Sequence, residues 1–343
     1  MYQGYYPMIQ VKKLTKYYGD LLAVDGISFQ VHEGEVFGFL GPNGAGKSTT
    51  QRMLTTLLEP TSGEIRINGH DLAHDSYPVK RRLGLVPEES NVYTELTAWQ
   101  NLMFTARLYR VSPTEREQRA RELLENFGLW EKREVKVEEY SKGMRRRLSI
   151  AMAIIHQPSL LFLDEPTPGL DAQSARAIRD LIRRMNEQGT TIFLTTHQIQ
   201  EASLLCDRVA IINHGRIAAI DTPEQLKQAY QRAQSVEVAL EGDDGRRGKA
   251  LQALPGVTHG VKQGDKWRLY TEDPGALVPR VVDYAREEQV KLVSLNTLSP
   301  SLEDVFLEIT GEEVGTVGDP GKIKRSGNQP GHREGGKRGQ GGR

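Results

Sequence analysis

A chain of 343 residues exceeds what one ordinary core accommodates, so two domains of unequal size are expected. Lysine plus arginine and aspartate plus glutamate each total 45, which excludes a wholly basic nucleic-acid binder or an acidic solvating chain. Cys206 is the only cysteine, so an internal disulfide is excluded and a reducing compartment is expected; within EASLLCDRV it reads as a small buried apolar residue rather than a nucleophile.

The start, MYQGYYPMIQVKKL, lacks the charged, apolar, small succession of a secretory signal, so Met1 to Pro7 read as a short extension and Met8 as an alternative start. Tyr18 follows in KYYGD, and GEVFGFLG then reads as a buried strand. It delivers GPNGAGKSTT, from Gly41 to Thr50, after which KSTTQRMLTTLL has helical spacing. Gly41, Gly46, Lys47 and Ser48 fit G-x-x-x-x-G-K-[ST] between strand and helix, the context that this phosphate loop requires. Glycines let successive N–H groups curl around phosphate oxygens, the helix directs its positive end at the same anion, and Lys47 reaches the outer phosphates. The cradle runs through Gly41, Pro42, Asn43, Gly44, Ala45, Gly46, Lys47, Ser48 and Thr49, with the Ser48 hydroxyl as a magnesium ligand.

From about Thr94 to Val135, ELTAWQNLMFTARLYR and SPTEREQRARELLENFGL carry helical spacing without a strand signal. This predicts a helical subdomain inserted into the sheet domain, reaching about residue 158 once the next helix is included. That helix opens with YSKGMRRRLSIA, where Ser141 and the amides around Gly143 make an anion site with no phosphate source in the same subunit. Of Arg145, Arg146 and Arg147, at least one is expected to face solvent as an ordinary helix charge. AMAIIHQPSLLFL is interrupted by His156, Gln157 and Pro158, and no apolar run reaches the ~20 residues that a bilayer needs.

A second buried strand, SLLFLDEP, brings Asp164 and Glu165 to its carboxyl end, where ligands sit in open α/β sheets. Asp164 there is expected to hold magnesium, directly or through water, and Glu165 to polarise water for in-line attack on a γ-phosphate, the alternative being a pair that caps a helix or meets arginines. PGLDA supplies Asp171 ahead of the helix SARAIRDLIRRMNEQ, and the strand TTIFLTTH ends at His197, placed to bond phosphate or position water. The fold class is α/β, a P-loop NTPase whose parallel sheet is covered on both faces. After DTPEQLKQAYQRA the pattern becomes strand, helix, hairpin, helix, strand and a final helix, SPSLEDVFLEITG, predicting a small α+β ferredoxin-like domain. Beyond Gly311 almost nothing apolar remains, so residues 312–343 are expected to be a disordered Gly/Arg-rich tail.

Together these segments resemble the ATP-binding subunits of ABC transporters over about Met8 to Asp221. The diagnostic element is YSKGMRRRLSIA, in the place of the family signature and upstream of LLFLDEP. The resemblance implies a domain over 8–230 with ATP and Mg2+ as cofactors, and an accessory domain over 235–311. It also implies head-to-tail pairing, as a homodimer or with a paired ATPase subunit, in which Ser141 and Gly143 of one copy meet the γ-phosphate on Lys47 of the other. By the same resemblance Tyr18 stacks on adenine, Asp171 lies in the loop that communicates between subunits, and QIQEA after His197 is the switch segment. Lys142 and Met144 depart from the familiar signature, and Glu88 stands where a glutamine usually touches magnesium and senses the membrane partner.

SPSLEDVFLEITG resembles the end of ATPase subunits of daunorubicin-type and related multidrug or sodium exporters, a resemblance that leaves the cargo open. The implied protein is a cytoplasmic ATPase subunit on an integral-membrane permease, driving export, with no specific nucleic-acid partner. Two alternatives stay open: a soluble ABC-type ATPase of translation or DNA repair, and an ATP-dependent regulatory module. The first usually brings a second ATP domain or a long coiled coil, neither of which this sequence shows, and the second would not need Glu165 and His197.

Overall fold

The computed structural model describes residues 7–229, 234–242, 246–298 and 301–310. The N-terminal extension before Pro7 and the tail expected over 312–343 lie outside these residues. Strands β1 (Pro7–Tyr18), β2 (Leu21–His32), β4 (Ser62–Ile67) and β5 (His70–Asp71) form an antiparallel sheet ordered β2-β1-β4-β5. Strands β3 (Val36–Leu40), β6 (Leu83–Val86), β7 (Leu160–Asp164), β8 (Thr191–Thr196), β9 (Arg208–Asn213) and β10 (Arg216–Asp221) form a second sheet, ordered β10-β9-β3-β8-β7-β6. Its inner pairs are parallel and only β10 runs antiparallel.

Side-chain alternation makes this second sheet two-faced. Val36 and Leu40 of β3, Leu161 and Leu163 of β7, and Ile192 and Leu194 of β8 turn to one core. Helices α5 (Lys142–Ile154), α6 (Ala172–Glu187) and α7 (Ile199–Leu205) cover that face. Helix α6 buries Ala175, Ile178, Leu181, Ile182 and Met185, a stripe at three- and four-residue spacing. The intervening Phe37, Phe39, Phe162 and Phe193 turn the other way, joined by Phe29 of β2 in a cluster of rings 5.3–6.2 Å apart. Covering them are helix α1 (Lys47–Leu54) and the antiparallel sheet, so the second face of the parallel sheet is closed in part by strands. Gly38 lacks a Cβ for a local reason: one would lie 2.6 Å from the sulfur of buried Cys206.

Helix α1 is shorter than its spacing predicts, because Thr56 turns to positive φ (61°) and the amides of Leu57 and Leu58 return to the Arg52 carbonyl. Helix α2 (Tyr77–Arg81) leads into β6, and the inserted helices are α3 (Ala98–Leu108) and α4 (Pro113–Asn126). Thr97 and Gln100 form a reciprocal capping box on α3, and Ser112 with Pro113 starts α4.

After α8 (Pro223–Ala229), β11 (Ser235–Leu240), α9 (Arg246–Gln252), β12 (His259–Gln263), β13 (Lys266–Tyr270), α10 (Pro274–Glu287) and β14 (Leu292–Leu298) build an antiparallel sheet ordered β12-β13-β11-β14. This is the ferredoxin-like order, with Val236, Val238 and Leu269 packed against Leu251, Leu277 and Val281. Helix α11 (Leu302–Thr310) does not join that core: Leu302, Val305 and Phe306 belong to the core on the helix-covered face of the six-stranded sheet, against α7 and α8.

Candidate nucleotide site

The glycines between β3 and α1 serve two different needs. A Cβ at Gly41 would lie 2.4 Å from the Ile212 carbonyl oxygen, and one at Gly46 (φ 105°) 2.7 Å from that of Ala23, so both allow the loop to pack on neighbouring backbone. Gly44 (φ 81°) meets no atom within 4 Å and leaves the loop open to approach from outside. Ala45 and Lys47 are buried, Ser48 and Thr49 half-buried, and Asn43 exposed. The Lys47 ammonium donates to the carbonyls of Gly41 (2.7 Å) and Pro42 (3.0 Å) and lies 3.8 Å from Glu165 Oε1. Burial pulls its pKa down, opposed by the carboxylates of Glu165, Asp164 and Glu88.

Strand β7 ends at Asp164, whose Oδ1 accepts from the Thr195 hydroxyl of β8, its register partner. The next residue, Glu165, has a φ of 46°, a left-handed conformation that a non-glycine residue holds only under constraint. Its amide donates to the Thr195 carbonyl (3.0 Å), and its carboxylate is met by His197 Nδ1 (2.9 Å, to Oε1) and the His197 amide (3.4 Å, to Oε2). An ionised carboxylate only accepts, so this contact puts the imidazole hydrogen on Nδ1. Parallel register therefore brings three sequence-distant groups together: the Glu165 carboxylate sits between the Lys47 ammonium and the His197 imidazole.

Ser141, Gly143 and Asp171 gather in a separate cluster at the start of α5 and α6. Ser141 caps α5 by accepting from the Met144 amide (3.2 Å). A Cβ on Gly143 would sit 2.4 Å from Ser174 Oγ, and that hydroxyl donates to Asp171 Oδ2 at 2.7 Å. Asp171 also caps α6, and these bonds from Ser174 hold its carboxyl below the usual range. Lys142 reaches across to the Pro168 carbonyl at 3.5 Å. Tyr18 is 43% exposed at the end of β1, with its ring free of the core, and Glu88 is exposed in the loop that follows β6.

Sequence reasoning missed two features. None of the three consecutive arginines is exposed: Arg145 bonds the carbonyls of Val137 and Glu138, Arg147 that of Phe127, and Arg146 is buried. The Arg146 guanidinium meets the carbonyls of Pro87, Glu88, Asp164, Glu165 and Pro166, and burial lowers its pKa to about 10. The available signal was helical phase, since Gly143, Arg146 and Ile150 lie on one buried side of α5. The second is Glu201 of α7, whose buried carboxyl accepts from the Thr167 hydroxyl (2.8 Å) and titrates above the usual range because of its burial.

The ABC transporter family profile matches residues 24–168, and the profile of the ATP-binding protein DrrA1-3-like C-terminal domain matches residues 222–310. The linearmycin resistance ATP-binding protein LnrL of Bacillus subtilis (strain 168) is 36% identical over 311 residues, covering 90% of this chain and 99% of that protein. This chain belongs to the ABC transporter family of ATP-binding subunits. A second relative, the daunorubicin/doxorubicin resistance ATP-binding protein DrrA of Streptomyces peucetius, is 39% identical over 88% of this chain and 92% of its own length. Among solved structures, the dimeric post-hydrolysis state of the ATP-binding cassette MJ0796 bound to ADP and Pi superposes with a TM-score of 0.57. It is 28% identical, covering 63% of this chain and 98% of that one. As a member of this family the chain binds and hydrolyses ATP to power transport, and the two soluble or purely regulatory alternatives are not favoured.

Proposed function

We propose that this chain is the motor subunit of an exporter for drug-like small molecules, paired with a second ATP-binding subunit and seated on a separate integral-membrane permease. The observation that carries the hydrolytic reading is the Glu165 carboxylate held between Lys47 and His197 beside Asp164. In this reading the loop from Gly41 to Thr49 cradles the phosphates, Lys47 moves from its own loop carbonyls onto the outer phosphates, and Tyr18 stacks on adenine. Glu165 orients and polarises the attacking water, while His197 fixes that carboxylate and offers its ring to the phosphate.

Magnesium is the fitting metal because the chain offers oxygen ligands and not a cage of its own: no group of three His, Cys, Asp or Glu converges among the described residues. Ser48 and Asp164 are the residues to hold it, with Glu88 adding negative charge nearby; when bound, the ion neutralises phosphate charge. Ser141, Gly143 and Asp171 face the nucleotide of the paired subunit.

The resistance proteins among the relatives support export, and the permease selects the cargo. No helix among the described residues is long and apolar enough to cross a membrane, so in this reading attachment to the cytoplasmic face comes through the permease. Tyr93, Phe104 and Leu108 offer an apolar patch on the helical subdomain for that contact, each more than a third exposed. The test is Glu165→Gln, which should keep nucleotide binding and accumulate an ATP-bound dimer on size exclusion. Hydrolysis at the parental rate would remove Glu165 from the role of base. Affinity capture from detergent-solubilised host membranes should in parallel recover one polytopic protein without an ATP domain.

A further inference from the structure

Arg146 uses its whole guanidinium on backbone. Nε donates to Pro166 O (3.2 Å), Nη1 to Pro87 O and Glu88 O (3.2 Å), and Nη2 to Asp164 O (2.5 Å) and Glu165 O (3.0 Å). A guanidinium has five N–H groups, and here five different carbonyls take them. These carbonyls come from two segments far apart in sequence: the loop after β6 that carries Glu88, and the end of β7 at Asp164 with the turn of Glu165 and Pro166 that follows it. The arginine itself sits on α5, one turn after Ser141 and Gly143. Glu165 is in a left-handed conformation, and Arg146 takes the carbonyls on either side of the strained residue's φ and ψ, those of Asp164 and Glu165.

We infer that Arg146 is a positioning residue that locks the signature helix, the Glu88 loop and the Asp164–Glu165 turn into one body. Movement of α5 against a paired subunit's nucleotide, or of the Glu88 loop against a membrane partner, is thereby delivered to the hydrolytic carboxylates. The inference rests on the hydrolytic role proposed for Glu165. No other side chain reproduces the fork: lysine has three donors at a point and glutamine two.

The test compares the full-length protein with Arg146→Lys and Arg146→Gln in two measurements. The first is amide hydrogen exchange without nucleotide. Loss of the clamp should raise exchange together in the segments 88–91 and 165–170 while the strands β3 and β8 keep their protection. Unchanged protection in both segments overturns the inference, whatever the protein's activity. The second is steady-state ATP hydrolysis alongside ATP affinity. The expected result for Arg146→Lys is a kcat lower by about 100-fold, the scale of an ~1 Å misplacement, with ATP affinity within about 3-fold of the parent and a Hill coefficient falling toward one. A smaller active fraction would lower the rate without changing the Hill coefficient, so proportional loss with cooperativity retained shows a structural residue only and overturns the inference. If Arg146→Gln does not fold, Arg146→Lys carries both measurements. A parent protein that turns over no ATP, alone or with its membrane partner, refutes the hydrolytic reading itself, and the exchange experiment still decides the clamp.

Discussion

Replacing Asp304 should detach helix α11 from the accessory sheet, at a cost set by a fully buried carboxylate. Its side chain is 1% exposed and accepts from Arg268 Nη2 (2.7 Å), Tyr270 Oη (2.8 Å), and the Ser301 amide and hydroxyl (both 2.7 Å). Asp304→Ala leaves the Arg268 charge, itself 9% exposed at the side chain, without its counter-ion. Breaking one side of a buried pair costs about 3–5 kcal/mol. Removing both charges with apolar residues of similar volume is far milder, so Arg268→Met with Asp304→Leu should recover much of the loss and reveal the pair by a double-mutant cycle. The assay is urea unfolding by circular dichroism, with hydrogen exchange of β13 and α11 to locate the change. Because Leu302, Val305 and Phe306 bury the same helix in the nucleotide domain, protection should fall in both places. An Asp304→Ala variant within about 1 kcal/mol of the parent would refute the reasoning, since it would mean that the carboxylate reaches water.

Three further outcomes follow from the site and its supports. Lys47→Ala should lose ATP binding in a fluorescent-nucleotide titration, because it removes the cation among Glu165, Asp164 and Glu88; unchanged affinity would sink the phosphate-loop assignment. Phe193→Ala should cost about 3–5 kcal/mol by urea midpoint, as the ring is fully buried within 6.2 Å of four other phenylalanine rings. His156 stacks on Tyr109 (3.7 Å), hydrogen-bonds the Leu83 carbonyl (3.1 Å), and burial lowers its pKa to about 4. The unfolded chain then binds the extra proton between about pH 6.5 and 4, so stability falls as pH drops through that window. The loss is at most about 3 kcal/mol, and less after solvent screening of a partly exposed ring. His156→Gln should flatten that part of the pH–stability curve, and an unchanged slope would show that the ring is not the titrating group.

The nucleotide loop and the strands that carry it were legible because their physics is local. A parallel strand buried on both faces reads as a near-continuous apolar or β-branched run, so VFGFL, LLFLD and TIFLTT declare themselves, and a phosphate cradle needs glycines, a lysine and a hydroxyl at fixed offsets. The antiparallel sheet was harder to read. Strand β1 slips register around Val11, Leu14 and Lys16, with Lys13 at a φ of 47°, and this breaks the two-residue alternation that would mark it. Nor did composition tell which of three consecutive arginines goes inside. A guanidinium is buried only where acceptors meet its N–H groups, and for Arg146 these are the carbonyls of residues 87, 88 and 164–166.

Helix α11 marks the same division. Its apolar spacing and its place after β14 assign it by sequence to the accessory domain, over 235–311. In three dimensions its two sides are bound to different bodies, Asp304 to Arg268 and Tyr270 of that sheet, and Leu302, Val305 and Phe306 to the core beneath α7 and α8. The sequence by itself determined the α/β class and singled out Lys47, Asp164 and Glu165 as candidates from patterns within a few residues, whereas His197 became a candidate only through its strand's expected register with Asp164. Only the tertiary structure decided that β7 and β8 set Glu165 between Lys47 and His197, that Arg146 closes on two distant segments, and that α11 packs in one core while Asp304 ties it to the accessory sheet. Such placements depend on which strands become neighbours, and a chain satisfies buried charge and buried surface only with partners that folding brings within reach.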